Sequence, residues 1–302
     1  MPSRRDFIGQ VSGAAAAALL PIGRAMTLPS APAAIRVGCA AITWGGNDEQ
    51  AIIDVGDLGF AGIQLRANAV RQYGARPAAL RDLLASHRLA FVALSSGDVS
   101  IDPATEAQVI EQHASNARFL HDAGGLYLQL IDQRPRGRDV ERADYTRLGR
   151  MLTEIGRRAA DSGVTAAYHH HMGSLGEKPD EIDRVLDASD PRYVRLLLDI
   201  AHYQAGGGDP VAAIRRYRER ILFLHIKDLR RPVSADGPAF QFVELGRGVV
   251  NLPGVFAALR EIGFQGWAVV ELDSVPDASR TPKEANAMSK RYLVETIGLR
   301  IP

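Results

Sequence analysis

The stretch from Val194 to Arg230 limits the fold more than any other. Val194-Arg195-Leu196-Leu197-Leu198 is an apolar run closed by Asp199, with His202 three residues on; a glycine-rich turn and a helix-periodic segment follow. A second apolar run, Ile221-Leu222-Phe223-Leu224, leads into His225-Ile226-Lys227-Asp228. Two such runs joined by a helix make a βαβ unit with parallel strands. Both runs release ionisable groups at their C-terminal ends. In a closed parallel barrel those ends open onto a cleft, whereas the strand bodies are covered by helices outside and by packed side chains within.

The same alternation continues along the chain. Apolar runs are expected as strands at residues 35–42, 61–65, 89–94, 126–131, 164–168, 194–198, 221–226 and 266–270. Helical spacing occupies 48–58, 77–87, 104–123, 144–162, 179–188, 210–220, 252–262 and 282–297, several of these starting at proline and ending at glycine. Ser95 to Asp98 and residues 230–251 read as loops, and the basic loop Arg134 to Arg142 as solvated surface or rim. A doubly wound sheet alternates similarly but carries a glycine-rich phosphate loop after its first strand, and Gly45-Gly46 is not that fingerprint. The expectation is an α/β fold, a (β/α)₈ TIM barrel over 34–302.

Residues 1–33 differ in kind. Arg4-Arg5-Asp6-Phe7-Ile8 precedes an alanine-rich apolar run, then small residues with Ala31-Pro32-Ala33 as a cleavage signature. That order makes an export signal, and the paired arginines resemble the twin-arginine type. A periplasmic protein is expected, with no membrane insertion after export. The formal net charge of +1 supplies no field for a polyanion, so nucleic acid is not an expected partner. One cysteine, Cys39, excludes an intrachain disulfide framework and a cysteine-cluster metal site.

The strand ends form one constellation. Asp199, His225 and Glu271 close strands six, seven and eight and give two carboxylates and an imidazole, an oxygen/nitrogen set suited to one divalent metal ion. Ionisable groups at equal depth on neighbouring strands cost free energy unless something there uses them. A fourth ligand is expected from across the mouth, Gln129 or His171. His169 and His171 should face one side and His170 the other. Asp199-x-x-His202 also has the spacing of a helix cap. Gln64, Arg66 and Glu244 are candidates for hydroxyl binding, with rim and loop roles as the plainer readings of Arg66 and Glu244. Trp44 either stacks on a sugar face or plugs the barrel mouth.

These motifs carry a resemblance. His169-x-His171-x-Gly173, Leu198-Asp199-x-x-His202, His225-Ile226-Lys227-Asp228, Leu245-Gly246-x-Gly248 and the Gly263-to-Asp273 segment resemble the xylose-isomerase-like TIM barrels. These include sugar-phosphate isomerases and epimerases, ketose 3-epimerases, inosose dehydratase and 3-keto-glycoside lyases. The resemblance implies one divalent ion (Mn, Mg, Co or Zn) on Gln129, Asp199, His225 and Glu271, with glutamine standing where the family has a strand-four glutamate; Gln64 likewise replaces a frequent strand-two glutamate. A glutamine coordinates through oxygen but takes no proton at ordinary pH, which weakens a two-carboxylate epimerisation. The expected activity is therefore a metal-dependent carbon–oxygen lyase performing β-elimination on a keto-sugar or keto-cyclitol through a metal-stabilised enediolate. His171 or Glu271 is expected as base, with His202 and Lys227 steadying the oxyanion or leaving group. The alternatives are an isomerase or epimerase of a free ketose and a non-catalytic periplasmic sugar-binding protein. The expected partner is a small carbohydrate, with homo-oligomerisation left open.

Overall fold

Residues two apart on a strand share a face, so each barrel strand sends one set of side chains to the axis and the other to the helices. The computed structural model describes residues 35–231 and 239–301; the expected export signal lies outside them. The eight barrel strands are Arg36–Ala40, Gly62–Arg66, Ala90–Val99, Tyr127–Asp132, Thr165–His169, Val194–Asp199, Ile221–Ile226 and Trp267–Val270. They pair in parallel in sequence order and close by joining the eighth to the first, with Cys39 beside Val270. This is the expected (β/α)₈ barrel.

Helices return the chain between strands. Their starts are fixed by local chemistry: Asn47, Asp209 and Asn251 accept backbone N–H bonds at N-caps, and Thr281 and Glu284 form a reciprocal capping box. One large apolar cluster fills the space between strands and helices. A second cluster contains Ala40, Val92, Ala167, Leu197, Phe223, Trp267 and Val269 and plugs the barrel. Period two then sets the site. Ala167 lies two residues before His169, Leu197 before Asp199, Phe223 before His225 and Val269 before Glu271. The plug and the candidate site are consecutive layers of the same inward faces.

Three segments depart from the sequence expectation. The third strand continues through Ser95–Asp98 to Val99, with a register shift against the fourth strand between Ser95 and Asp98. Its buried polar groups are satisfied by protein instead of water: Ser96 Oγ lies 2.7 Å from His113 Nδ1, and Asn116 Nδ2 donates to Ser96 Oγ at 2.9 Å. A short helix, Asn68–Tyr73, follows the second strand. The expected loop at 230–251 contains an antiparallel ribbon, Asp228–Arg230 with Gln241–Val243. Asp228 organises it by accepting the backbone N–H groups of Gly246, Gly248 and Val250 at 2.9–3.0 Å. A Cβ on Gly248 would sit 2.2 Å from Asp228 Oδ1, so this loop requires glycine there.

Among the described residues no helix is long and apolar enough to cross a membrane. Gly62 sits where the barrel wall leaves no room for a Cβ. A Cβ there would lie 2.6 Å from Val92 Cγ2, 2.8 Å from Trp267 Cη2 and 2.9 Å from Ala90 O. Gly62→Ala should cost about 2 kcal/mol by overpacking, lowering Tm by roughly 4–8 °C in thermal unfolding. An unchanged Tm would show that the plug can move aside.

Candidate metal centre

Four side chains converge at the C-terminal mouth. Donor atoms of His169, Asp199, His225 and Glu271 all lie within 4.8 Å of one another, and all four residues are buried. They come from the ends of strands five to seven and the residue just past strand eight, with Asp199 directly beside His225 in register.

Asp199 divides its carboxylate between two tasks. Oδ1 accepts the N–H groups of Ala201 and His202 at 2.9 Å each, capping the helix Ile200–Ala205. Oδ2 has no hydrogen-bond partner and faces the cluster, 3.5 Å from His225 Nδ1. The cap therefore fixes the position of the oxygen that faces the site. His225 Nδ1 stands 3.0 Å from Glu271 Oε2, while its Nε2 lies 2.9 Å from Gln64 Oε1. A carbonyl oxygen accepts only from N–H, so Nε2 carries a proton and Nδ1 is the nitrogen turned to the cluster.

The charges call for a cation. Asp199, Glu271 and Asp273 bring three carboxylates, and Lys227 is the fixed positive charge among them. Its ammonium contacts Glu271 Oε2 at 3.1 Å, Asp273 Oδ1 at 2.5 Å and Asp199 Oδ2 at 3.8 Å, and stands 4.0 Å over the ring of Phe242. Burial opposes the ammonium, but Glu271, Asp199 and Asp273 outweigh it and hold Lys227 above the usual lysine range. Burial likewise opposes protonation of His225, yet Glu271 and Asp199 lift it to about 9. An imidazole drawn toward protonation by two carboxylates marks a place where positive charge is favoured. The buried atoms without hydrogen-bond partners include Asp199 Oδ2, His225 Nδ1 and His169 Nδ1. Two imidazoles and two carboxylates converging on one point are a donor set that fits a divalent ion.

A cavity of about 400 Å³ opens over this group. His169, Glu271, Asp273, Gln64 and Gln129 line its inner wall, and His171 lies on the same lining. His171 Nδ1 is 2.8 Å from Met172 O and so donates to it, which leaves Nε2 without a claim from that bond. His202 and Lys227, expected at the substrate, are not among the cavity-lining residues. His202 stacks against His171 with ring centroids 3.9 Å apart, and its Nε2 lies 3.3 Å from the Lys227 ammonium. Burial and then the Lys227 charge keep His202 well below the usual histidine range, so it stays neutral.

A fourth donor is expected from Gln129 or His171; among histidine and carboxylate side chains the fourth in the convergent group is His169. Gln129 Oε1 accepts from Gln64 Nε2 at 2.7 Å, so the two glutamines form a chain ending on His225. The side chains alternate as expected, with His169 and His171 toward the cavity and His170 packed on Tyr203. Glu244 is buried and bound to Arg280 at 2.6 Å, a loop tie outside the cavity lining. Trp44 donates to Asp54 at 2.8 Å and is buried in the cluster between strands and helices, a member of neither the barrel plug nor the cavity lining.

Asp132 and Asp273 were under-read in the sequence. Asp132 accepts from Tyr168 Oη at 2.7 Å and from the backbone N–H groups of Leu175 and Gly176, pinning the loop that carries His171. Asp273 shares Lys227 with Glu271. Its signal was the Glu-x-Asp spacing past strand eight.

Two outcomes follow. Gln64→Leu removes the acceptor for His225 Nε2–H and should weaken Zn or Mn affinity about 10–100-fold in a competition titration; unchanged affinity would mean that the glutamine chain does not orient the imidazole. His170 is fully buried and burial depresses its pKa to about 4. The unfolded chain binds that proton near pH 6.5 and the folded one does not, so stability present above pH 6.5 falls as the pH drops from about 6.5 to 4, by about 3 kcal/mol. His170→Gln should flatten that part of the Tm–pH profile of the metal-free protein.

Comparison with known proteins agrees with this architecture. An inosose dehydratase of Lacticaseibacillus casei is 30% identical over 88% of this chain and 98% of its own length. The rhizopine catabolism protein MocC of Rhizobium meliloti is 32% identical over 80% of this chain and 83% of its own. Among solved structures, the IolI protein with a binding zinc atom superposes with a TM-score of 0.73 at 19% identity, covering 87% of this chain and 98% of that one. The profile of the xylose isomerase-like TIM barrels matches residues 53–292, and the chain belongs to that family.

Proposed function

We propose that this protein is a divalent-metal-dependent lyase that removes a β-oxygen substituent from a keto-sugar or keto-cyclitol. The observation that carries the reading is the asymmetry of the mouth. Four convergent donors stand on strands five to eight, and across the axis strands two and four present Gln64 and Gln129, which take no proton. Relatives bearing the name inosose dehydratase support a dehydration of this kind.

The bound ion would supply Lewis-acid polarisation of the substrate's keto oxygen. His169, Asp199, His225 and Glu271 would hold it, and the Gln64–Gln129 chain fixes the tautomer of His225. His171, on the cavity lining, takes the α-proton through Nε2. The C–H electron pair becomes the new carbon–carbon π bond as the β C–O bond breaks. The imidazolium of His171 returns its proton to the departing oxygen, so one side chain serves as base and then acid. Lys227 balances Glu271 and Asp273, and Asp132 holds the His171 loop. An epimerase of this fold would need a proton acceptor on each face of the substrate, and the glutamines provide none on theirs.

A panel of inososes, 3-keto-glucosides and free ketoses, each with and without chelator, tests the reading. Metal-dependent loss of water or of an aglycone is expected. His171→Asn should lower kcat/KM by about 10²–10⁴-fold with metal content unchanged, whereas Glu271→Gln should lower bound metal as well as rate. Product of unchanged mass with inverted carbon would replace the lyase with an epimerase.

A further inference from the structure

The cavity has two poles of opposite character. Its inner wall carries the carboxylates and imidazoles described above. Its outer wall carries three guanidinium groups, Arg66 as the last residue of the second strand and Arg134 and Arg136 from the loop after the fourth.

That loop is rich in arginine, and the structure sorts its members. Arg134 is tied to Glu181 at 2.9 Å and to Ser174 O at 3.0 Å, and Arg138 is held in a two-pronged pair by Asp144 at 2.6 and 2.8 Å. Both hold the protein's own backbone and helices. Arg136 does not: among the described residues no carboxylate lies within 4.0 Å of it, and the same is true of Arg66. Asp98 is the acidic group on this part of the wall; it is exposed, and its Oδ2 accepts from Gln133 Nε2 at 2.8 Å. Asp48 lies near enough to Arg66 to feel its charge but is bonded to Asn68. Arg66 also stands at the junction with a second compartment of about 330 Å³, which contains Arg71. Positive charge on the outer wall therefore exceeds negative.

Neutral sugars need hydroxyl-binding groups, which amides and carboxylates provide. Two guanidinium groups without acidic partners suit an oxyanion, which each can grip through two parallel N–H bonds. We propose that the substrate carries an anionic substituent, a carboxylate or a phosphate, clamped by Arg66 and Arg136 at the outer end of the cavity while its keto end faces His169 and Glu271. This rests on reading the cavity as the substrate site of the proposed lyase, and it narrows the substrate to acidic keto-sugars.

Binding, measured apart from turnover, tests it. The metal-loaded protein is titrated calorimetrically with 5-keto-D-gluconate, D-fructose 6-phosphate and neutral D-fructose. An anionic probe should bind at least about tenfold more tightly than fructose, and the advantage should shrink as salt is raised. Arg66→Gln and Arg136→Gln should each weaken the anionic probe at least fivefold more than fructose. Preference for the gluconate assigns a carboxylate, and preference for the phosphate ester a phosphoryl group; either supports the clamp. Equal binding of all three by the unaltered protein, or an anion preference untouched by both substitutions, overturns it. The salt dependence of the unaltered protein keeps the test decisive if a variant fails to fold. A protein that eliminates from neutral keto-glycosides and ignores anions keeps the lyase reading and loses the clamp. One that binds anions through these arginines but eliminates nothing does the reverse.

Discussion

Everything at the mouth of this barrel depends on holding Asp199, Glu271 and Asp273 together in a buried place. Like charges so close repel strongly once water is removed, and burial alone would protonate them. Lys227 answers part of that demand from within, fully buried and hydrogen-bonded to Glu271 and Asp273. Burial pushes Glu271 up, but His225 and Lys227 reverse this and keep it well below the usual carboxylate range; Asp273, for which burial prevails, is raised. The remaining demand is for a cation at the centre of the four donors. The same demand is felt at His225, a histidine with no exposure that Glu271 and Asp199 draw up to about 9 against the effect of burial.

That arrangement is tied to the fold at several points, so chemistry and stability are not separable here. Asp199 caps a helix with one oxygen and faces the cluster with the other. Asp228, one residue past Lys227, gathers the loop Gly246–Val250 by accepting its backbone N–H groups. Asp132 does the same for the loop after the fifth strand. Each carboxylate satisfies backbone groups that a loop or helix end would otherwise leave to water, and Asp132 thereby holds the loop whose residues His171 to Ser174 line the cavity.

Much of this was legible in the sequence because strand periodicity and barrel geometry work on the same residues. Asp199, His225 and Glu271 could be placed from apolar runs alone, since a strand that ends on an ionisable residue exposes it at the open face. The alternation of His169 and His171 against His170 was legible for the same reason. The third strand's extension was not, because Ser95 to Asp98 reads as a loop until His113 and Asn116, brought near only by the fold, satisfy Ser96. Nor were the fates of Arg134, Arg136 and Arg138, which sit in one polar stretch. Their partners Glu181 and Asp144 belong to two different helices.

The choice between Gln129 and His169 as fourth donor shows where sequence reasoning stops. Both residues point to the axis, from neighbouring strands four and five. What distinguishes them is a partner on strand two: Gln64 donates to Gln129 and accepts from His225. An amide can do both at once, and a carboxylate cannot. With glutamate at position 64 both oxygens would be acceptors, and neutral Gln129 would have to turn its NH₂ toward it. With glutamine at both positions, the chain runs in one direction and ends by fixing the proton of His225 on Nε2. The glutamine pair on strands two and four is thus internally consistent, one orienting network that serves the imidazole of His225.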